Sequence, residues 1–218
     1  MATIHTGTTM APTKLELLTE WLPRQPWYVG DGRPTLGRAG GFRLDDPAGE
    51  VGIEFVFVSD GADRTYHVPM TYRSAPLAEA EQGLIGTSEH GVLGRRWVYD
   101  SAHDPVAVAT LLEFISGGAE AQSQSKSDTP DPTVGRHWPS AGRLVTATPL
   151  RVRDSEPGRT TVAVELTDAS TTRTLSGSLH LVRVLVEGTG NEEDLGRVEA
   201  DWTRPDGTTA RGPVVLVR

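Results

Sequence analysis

The chain has 218 residues, which is enough to bury the core of one large domain or of two small ones. Its formal net charge is −8 and its Lys and Arg residues are scattered, which argues against a nucleic-acid surface, where a basic patch is typical. The sequence contains no Cys, no membrane-spanning apolar run and no apolar segment of a signal peptide, which excludes disulfides and thiolate chemistry. We therefore expect a cytoplasmic protein without nucleic-acid or membrane partners.

The first predicted element is a helix that follows a tail. Residues 1–12 are small and polar without periodicity, which predicts a mobile tail. A helix is predicted to begin after Thr13, because Thr13 can cap the first turn while Glu16 hydrogen-bonds back to the N–H of Thr13. Pro23 ends the pattern, since a proline disfavours helical backbone in the residue before it. The predicted buried face of this helix consists of Leu15, Leu18, Trp21 and Leu22.

An irregular loop follows the helix, in which Pro and Gly alternate with aromatic and basic side chains. Trp27 and Tyr28 lie near Arg24 and Arg33 in this loop. Exposed aromatic rings beside arginines suit a sugar face or a partner protein, so these four residues are the candidate contacts. The alternative is that both rings pack beneath the loop as part of the core.

Antiparallel strands are predicted next. The glycine-rich run at residues 37–41 precedes a strand, whereas a phosphate loop needs a helix N-terminus or a nest of backbone N–H groups, so we expect a strand-entry or hairpin role. Residues 51–57 alternate bulky and smaller side chains, as a half-buried strand does. A turn at residues 60–61 leads to an extended run at 64–72, and a further short strand is predicted at 96–99.

A second helix and a linker are predicted in the middle of the chain. Asp104 can cap this helix, Pro105 occupies its first position and Gly117 lies just past its end. Residues 118–140 then have almost no bulky apolar side chain and are rich in Ser, Gln, Asp and Pro. Such a segment cannot offset the entropy of ordering by burial, so it is predicted to be a linker or long mobile loop that follows a first domain at 13–117.

The remaining residues, 141–218, are predicted to be mostly β-structure. Pro205 and Gly207 flank Asp206 in a turn that joins the last two strands into a hairpin, because Pro presets one dihedral angle and Gly accepts a positive one. The β-rich runs are residues 160–166, 177–186, 196–202 and 212–217. The expected fold class is α+β: a curved antiparallel sheet with two packed helices, then a mostly antiparallel β half. The alternative is one continuous sheet through both halves, with 118–140 as a surface excursion.

Motifs for catalysis are missing from the sequence. It contains no GxSxG elbow and no GxxxxGK[ST] or GxGxxG phosphate loop. His67 and His180 lie inside strand patterns, which favours a packing role for both. The pairs at residues 89–90 and 103–104 lack the spacing of zinc ligands, and the acidic cluster at 192–194 is typical of a solvated loop. We expect no catalytic residue, no cofactor and no metal.

The same loop and its neighbours resemble a known family. Residues 21–33, WLPRQPWYVGDGR, resemble the opening signature of maltokinases and related aminoglycoside-kinase-like sugar kinases. Residues 66–73, YHVPMTYR, resemble a strand of the N-terminal cap domain of actinobacterial-type maltokinases. The end of that cap domain is resembled by three short segments of this sequence, residues 84–86, 98–100 and 103–105. Order and spacing agree over about residues 13–117, so the resemblance implies a cap domain in that part of the chain.

The second half resembles the part of a kinase N-lobe that follows the cap. The run LHLVR at residues 179–183 resembles the strand that carries the nucleotide-phosphate lysine, and His180 stands where that lysine is expected. A largely neutral histidine does not supply the lysine's fixed positive charge. Residues 190–193 resemble the Gly-Asn-acidic segment that follows, and the sequence ends before a counterpart of the C-lobe with its catalytic loop.

The resemblance implies a non-catalytic, cap-like binding or regulatory protein in α-glucan, maltose or trehalose metabolism, with an enzyme of that metabolism as its partner. Two alternatives remain open. The first is a carbohydrate-binding module that holds a maltooligosaccharide with Trp27 and Tyr28, and the second is an enzyme that acts on α-glucans. The sequence does not indicate an oligomeric state.

Overall fold

A computed structural model describes residues 9–62, 64–126, 128–138, 144–156, 158–168, 174–190 and 194–218. These residues form two antiparallel β-sheets and two α-helices, which confirms the α+β class. Residues 1–8 of the predicted tail lie outside the described residues. The last part of the tail is ordered, because Met10 and Ala11 pair with the strand that ends at His90.

The first sheet has seven strands in the order β1-β5-β6-β4-β3-β2-β7. Every neighbouring pair is antiparallel. The strands are β1 (Met10–Ala11), β2 (Gly37–Asp45), β3 (Gly52–Ser59), β4 (Thr65–Arg73), β5 (Leu84–His90), β6 (Gly94–Asp100) and β7 (Gln122–Ser123). The strands predicted from residues 51–57, 64–72 and 96–99 are confirmed as β3, β4 and part of β6.

The second sheet has six strands in the order β8-β12-β13-β11-β10-β9. These strands are β8 (Gly135–His137), β9 (Leu144–Glu156), β10 (Arg159–Asp168), β11 (Thr174–Val182), β12 (Gly196–Thr203) and β13 (Thr209–Val217). The hairpin predicted around Pro205 is confirmed, since β12 pairs with β13 from Gly196 opposite Val217 to Thr203 opposite Thr209. Gly207 in the turn has φ +85°.

Helix α1 (Lys14–Trp21) begins with the predicted capping box. The backbone N–H of Glu16 donates to Thr13 Oγ1 at 3.3 Å, and the N–H of Thr13 donates to Glu16 Oε2 at 2.7 Å. Both bonds satisfy N–H groups near the start of the helix that have no partner inside it. Pro23 lies in the short 3-10 turn Leu22–Arg24 that follows, so the α-helix ends where the sequence predicts.

Helix α2 (Pro105–Ile115) is held at its start by a buried ion pair. Asp104 is fully buried and accepts a hydrogen bond from the N–H of Val106 at 3.0 Å. Arg73 of β4 donates to both carboxylate oxygens of Asp104, at 2.7 and 2.6 Å. Gly117 has φ +96° just past the helix, so the predicted cap and stop are both confirmed.

The two faces of the first sheet bury separate apolar clusters. Because side chains alternate along a strand, Phe55 and Phe57 face α2 and the second sheet, whereas Val56 and Val58 face α1. The rings of Phe42 and Phe55 stack with centroids 4.4 Å apart in the first of these clusters. That cluster draws residues from both halves of the chain, so the second sheet and α2 together cover one face of the first sheet.

The strand predicted over 177–186 is divided between the two sheets at Arg183. It belongs to the second sheet as far as the end of β11, and it then pairs with β4 of the first sheet. The N–H of His67 donates to the carbonyl of Arg183 at 2.9 Å, and the N–H of Leu185 donates to the carbonyl of Thr65 at 2.8 Å. The two halves are therefore two sheets that share a corner, rather than one continuous sheet.

The segment predicted to be a linker contributes one edge strand to each sheet. Within 118–140, β7 pairs with β2, and β8 pairs with β12. Arg136 donates to the carbonyl oxygen of Phe114 at 3.1 Å and to that of Ala119. Arg43 donates to the carbonyl of Ser123 at 3.0 Å, and Val134 and Trp138 pack against the apolar cluster beneath α2. Backbone pairing, arginine side chains and a few apolar contacts thus position this segment. The domain boundary placed at 118–140 stays a prediction.

Candidate functional site

Trp27 lies in the core beneath the candidate loop. Its side chain is 2% exposed, and its ring packs edge-to-face on Trp21 with centroids 5.7 Å apart. The ring centroid of Tyr66 lies 6.4 Å from that of Trp27, and the guanidinium carbon of Arg183 lies 4.9 Å from the Trp27 ring centroid. In this structure Trp27 therefore packs as core, and its ring is not an exposed platform.

Tyr28 is half-buried at the margin of the same cluster. Its ring lies 5.3 Å from that of Tyr66, and its hydroxyl donates to the carbonyl of Gly32 at 3.4 Å. Burial, together with the charge of Asp60, raises the pKa of Tyr28. The same causes raise the pKa of Tyr66 to about 12, and Tyr66 donates to Asp60 Oδ2 at 3.2 Å. Both phenols are therefore neutral at physiological pH, and the side chain of Tyr28 is partly exposed to solvent.

Arg24 and Arg33 are the exposed members of the four predicted contact residues. The side chain of Arg33 is 71% exposed and forms an ion pair with Glu20, which is 63% exposed. Solvent-exposed pairs of this kind contribute little to stability, so Arg33 can exchange partners at low cost. Arg24, Arg33 and the exposed part of Tyr28 are therefore available for contact, while Trp27 is buried.

The glycine-rich run at residues 37–41 forms a bulge within β2. The register of β2 against β3 shifts between Arg38 and Gly40, and Gly40 and Gly41 have φ of +133° and +137°. A Cβ on Gly41 would lie 2.2 Å from the carbonyl oxygen of Phe55. The glycines therefore serve the positive φ angles and the close approach of β3, in agreement with a strand role.

Arg183 ties three strands together at the corner between the sheets. Its side chain is fully buried. Arg183 Nη2 donates to Asp100 Oδ2 of β6 at 2.5 Å, and Nε donates to Thr160 Oγ1 of β10 at 2.8 Å. Removing one partner of a buried pair typically costs about 3–5 kcal/mol, because the remaining charge is left uncompensated. The pair therefore holds β6, β10 and the end of β11 in a fixed arrangement.

His67 is a buried neutral histidine and packs as predicted. Its ring lies 5.9 Å from that of Phe55 and 5.4 Å from that of Phe57. Burial and the nearby charge of Arg183 lower the pKa of His67 to about 3. Its Nδ1–H donates to the carbonyl of Val182 at 3.1 Å, which adds a side-chain bond to the junction of the two sheets.

His180 lies on β11, where the resemblance to kinases places a lysine. Its ring is half-buried between two hydroxyl groups. Nδ1 lies 3.0 Å from Thr161 Oγ1, and Nε2 lies 2.9 Å from Ser178 Oγ. Both ring nitrogens are therefore engaged within the second sheet.

Glu54 is the centre of a polar cluster that the sequence did not reveal. It is 5% exposed and accepts hydrogen bonds from Lys14 at 2.7 Å, Tyr72 at 2.8 Å and Gln124 at 3.0 Å. Burial and the charge of Glu54 raise the pKa of Tyr72 well above its ordinary value. The cluster joins α1, β3, β4 and the segment after β7. No local pattern marks it, because its members are far apart in sequence.

The described residues form no recognisable metal centre. Across the described ranges, no three His, Cys, Asp or Glu side chains are grouped so that they could hold a metal ion. In the two pairs weighed from the sequence, Glu89 binds Arg95 at 2.7 Å and Asp104 binds Arg73. Among the described residues, no helix has the length and apolar character needed to cross a membrane. Of the acidic cluster at 192–194, only Asp194 belongs to the described residues. Asp194 is buried and forms an ion pair with Arg218 at 2.9 Å.

The fold and these contacts define a small α+β domain in which the described buried ion pairs join secondary-structure elements to each other. Residues 21–104 match the family model of the maltokinase N-terminal cap domain. The match runs from the end of α1, through β2 to β6, to the residue that caps α2. This part of the chain is therefore similar to a maltokinase N-terminal cap domain.

Proposed function

We propose that this chain is a non-catalytic binding or regulatory protein that docks on an enzyme of α-glucan, maltose or trehalose metabolism. The observation that carries the proposal is the cap-domain match over residues 21–104. Apolar clusters lie on both faces of the cap-like sheet, and Asp100 and Asp104 are bound by Arg183 and Arg73, which supports a preformed binding module.

The strand that corresponds to the kinase nucleotide strand supports a non-catalytic role. Phosphoryl transfer depends on positioning and on neutralising charge at the phosphates. The run at residues 179–183 has two basic side chains. His180 contacts two hydroxyl groups, and Arg183 is buried against Asp100. Neither is placed to supply a fixed positive charge to a nucleotide at the surface.

The contact residues that we propose are the exposed part of the candidate loop. Arg24 and Arg33 supply positive charge, and the partly exposed Tyr28 supplies an aromatic ring next to Val29, which is 45% exposed. Arginine and tyrosine are enriched among residues that dominate binding energy at interfaces. The same groups could bind the hydroxyl groups of a maltooligosaccharide, so the test includes both ligands.

A calorimetric titration tests this proposal. The purified chain is titrated with a maltokinase, with a maltosyltransferase and with maltoheptaose, and the activity of each enzyme is measured with and without the chain. We expect saturable binding to one enzyme with a change in its kcat/KM. The double substitution Arg24→Glu and Arg33→Glu should weaken binding about tenfold or more, whereas the exposed control Arg153→Glu on β9 should leave it unchanged.

Two results would contradict the proposal. One is a flat titration against all three ligands with folded protein, as judged by circular dichroism. The other is transfer of phosphate from ATP to maltose by the chain alone, since that would make it a kinase.

A further inference from the structure

Exposed apolar side chains are concentrated on the hairpin formed by β5 and β6. Of the six large hydrophobic residues that are exposed in the described part of the chain, three belong to it: Leu84 at 37%, Val92 at 63% and Leu93 at 46%. Trp97 of β6 is half-buried and is absent from both apolar clusters of the described residues. A concentration of this kind on a folded protein marks an interaction surface.

The strand register places a set of these side chains on one face of the hairpin. Thr87 is opposite Trp97, and Glu89 is opposite Arg95. Val98 belongs to the cluster beneath α1, so alternation along β6 turns Trp97 and Arg95 to the opposite face, together with their partners Thr87 and Glu89. Ile85 belongs to the cluster beneath α1 as well, because the register of β5 shifts between Leu84 and Gly86. Leu84 is opposite Tyr99 and lies on the same face as Trp97. The hairpin face consists of Leu84, Thr87, Glu89, Arg95 and Trp97.

The tip next to this face is fixed in position. The backbone N–H groups of Val92 and Leu93 donate to His90 Nδ1 at 3.3 and 3.1 Å. Gly94 closes the turn with φ +68°, and Ser88 Oγ donates to the carbonyl of Pro12 at 2.7 Å. Two apolar side chains are therefore held in solvent by an ordered turn, which reduces the entropy that binding would otherwise cost.

The charges on the hairpin face are complementary to the same face of another copy. Glu89 and Arg95 lie side by side, 2.7 Å apart, and their side chains are 57% and 62% exposed. A two-fold axis through such a face sets each acidic group opposite the basic group of the other copy. On other surfaces, a chain with net charge −8 would on average repel a second copy. On the hairpin face, the opposite charges of Glu89 and Arg95 balance.

We propose that the hairpin face and its tip form a two-fold symmetric interface with a second copy of this chain. Val92, Leu93 and Trp97 form the apolar part of this interface, and Glu89 of each copy pairs with the partner's Arg95. Trp and Arg are the residue types that most often dominate the binding energy of protein interfaces. Two-fold dimers are the commonest assemblies of soluble proteins, and this arrangement needs no other partner.

Sedimentation equilibrium of the full chain tests the proposal. We expect a mass of about twice 23.4 kDa at roughly 10 μM protein. The double substitution Val92→Ser and Leu93→Ser should raise the dimer dissociation constant about tenfold or more. The matched control is Val186→Ser, which changes a side chain that is 69% exposed outside the hairpin and should leave the constant unchanged.

Charge exchange gives a readout that a merely structural role would not produce. Glu89→Arg and Arg95→Glu should each weaken the dimer, because like charges then face each other across the axis. An equimolar mixture of the two variants should form heterodimers, since each carries the charges that complement the other. The variant with both substitutions should also dimerise, because exchange restores both pairs.

Three outcomes would overturn the proposal. The first is a monomer up to about 1 mM protein, and the second is a dimer that the serine substitutions leave intact. The third is a monomer whose titration with a pathway enzyme is weakened by those substitutions, which would assign the hairpin to that enzyme. In that third case the proposed function would stand while this inference failed.

Discussion

At the scale of single residues, His67 makes the stability of the protein depend on pH. Its pKa is lowered to about 3 by burial and by the charge of Arg183, whereas an exposed histidine has an ordinary pKa of about 6.5. Between these values the unfolded chain binds a proton that the folded protein does not. The contribution of His67 to the free energy of unfolding is therefore complete above about pH 6.5 and falls as the pH is lowered, by at most roughly 1.4 kcal/mol per pH unit.

The substitution His67→Gln should remove this dependence while keeping a donor for the carbonyl of Val182. We expect the stability difference between the original protein and the variant to shrink by about 2–3 kcal/mol between pH 7 and pH 4.5, as measured by urea unfolding at each pH. The control His137→Gln changes an exposed ring of β8 and should leave the pH profile as it is. Parallel profiles for the original protein and His67→Gln would show that His67 does not titrate as described.

At the scale of elements, the sequence predicts those features that depend on neighbouring residues. The starts of α1 and α2 and the turn before β13 were predictable, because caps and turns are made within a few residues of each other. β9 was not predicted, and it contains Pro149, which normally argues against a strand. Pro149 is tolerated because β9 is an edge strand, and the register against β10 shifts beside it, between Ala163 and Val164.

The strand over 177–186 and the candidate loop show the limit of such reasoning. Periodicity gave a strand but could not show that it changes sheet at Arg183, because that depends on Asp100 and Thr160, far away in sequence. In the same way, composition identified aromatic and basic side chains in the loop. It could not show that Trp27 is buried, since Tyr66 and Arg183 from other elements cover its ring.

The bulge in β2 is the element whose geometry depends most strictly on glycine. Gly41→Ala should destabilise the protein by about 3 kcal/mol or more, because the new Cβ would lie 2.2 Å from the carbonyl oxygen of Phe55 at φ +137°. Gly32→Ala is the matched control, since its φ is also positive at +65° and its Cβ would meet nothing within 4 Å. That control should cost roughly 1–2 kcal/mol, which thermal or urea unfolding would resolve. Equal costs for the two substitutions would mean that β3 can move to accommodate a Cβ.

At the scale of the whole molecule, the two sheets are joined by burial as well as by backbone bonds. The cluster beneath α2 contains Phe55 and Phe114 from the first half and Val198 and Val215 from the second. The corner at Arg183 adds a buried ion pair between the halves. Separating the sheets would expose this cluster to water, at about 25 cal/mol for each Å² of apolar surface.

We therefore expect the described part of the chain to unfold as one cooperative unit. Hydrogen exchange should give the amides of β3 and β13 the same free energy of opening, close to the free energy of global unfolding. Thermal unfolding followed by tryptophan fluorescence and by far-ultraviolet circular dichroism should give coincident transitions. Two separate transitions, or much weaker protection of β13, would instead support a division into two domains at residues 118–140. Cooperative unfolding would mean that a ligand on the first sheet also stabilises the second sheet, because a ligand that binds the folded state raises the stability of the whole folding unit.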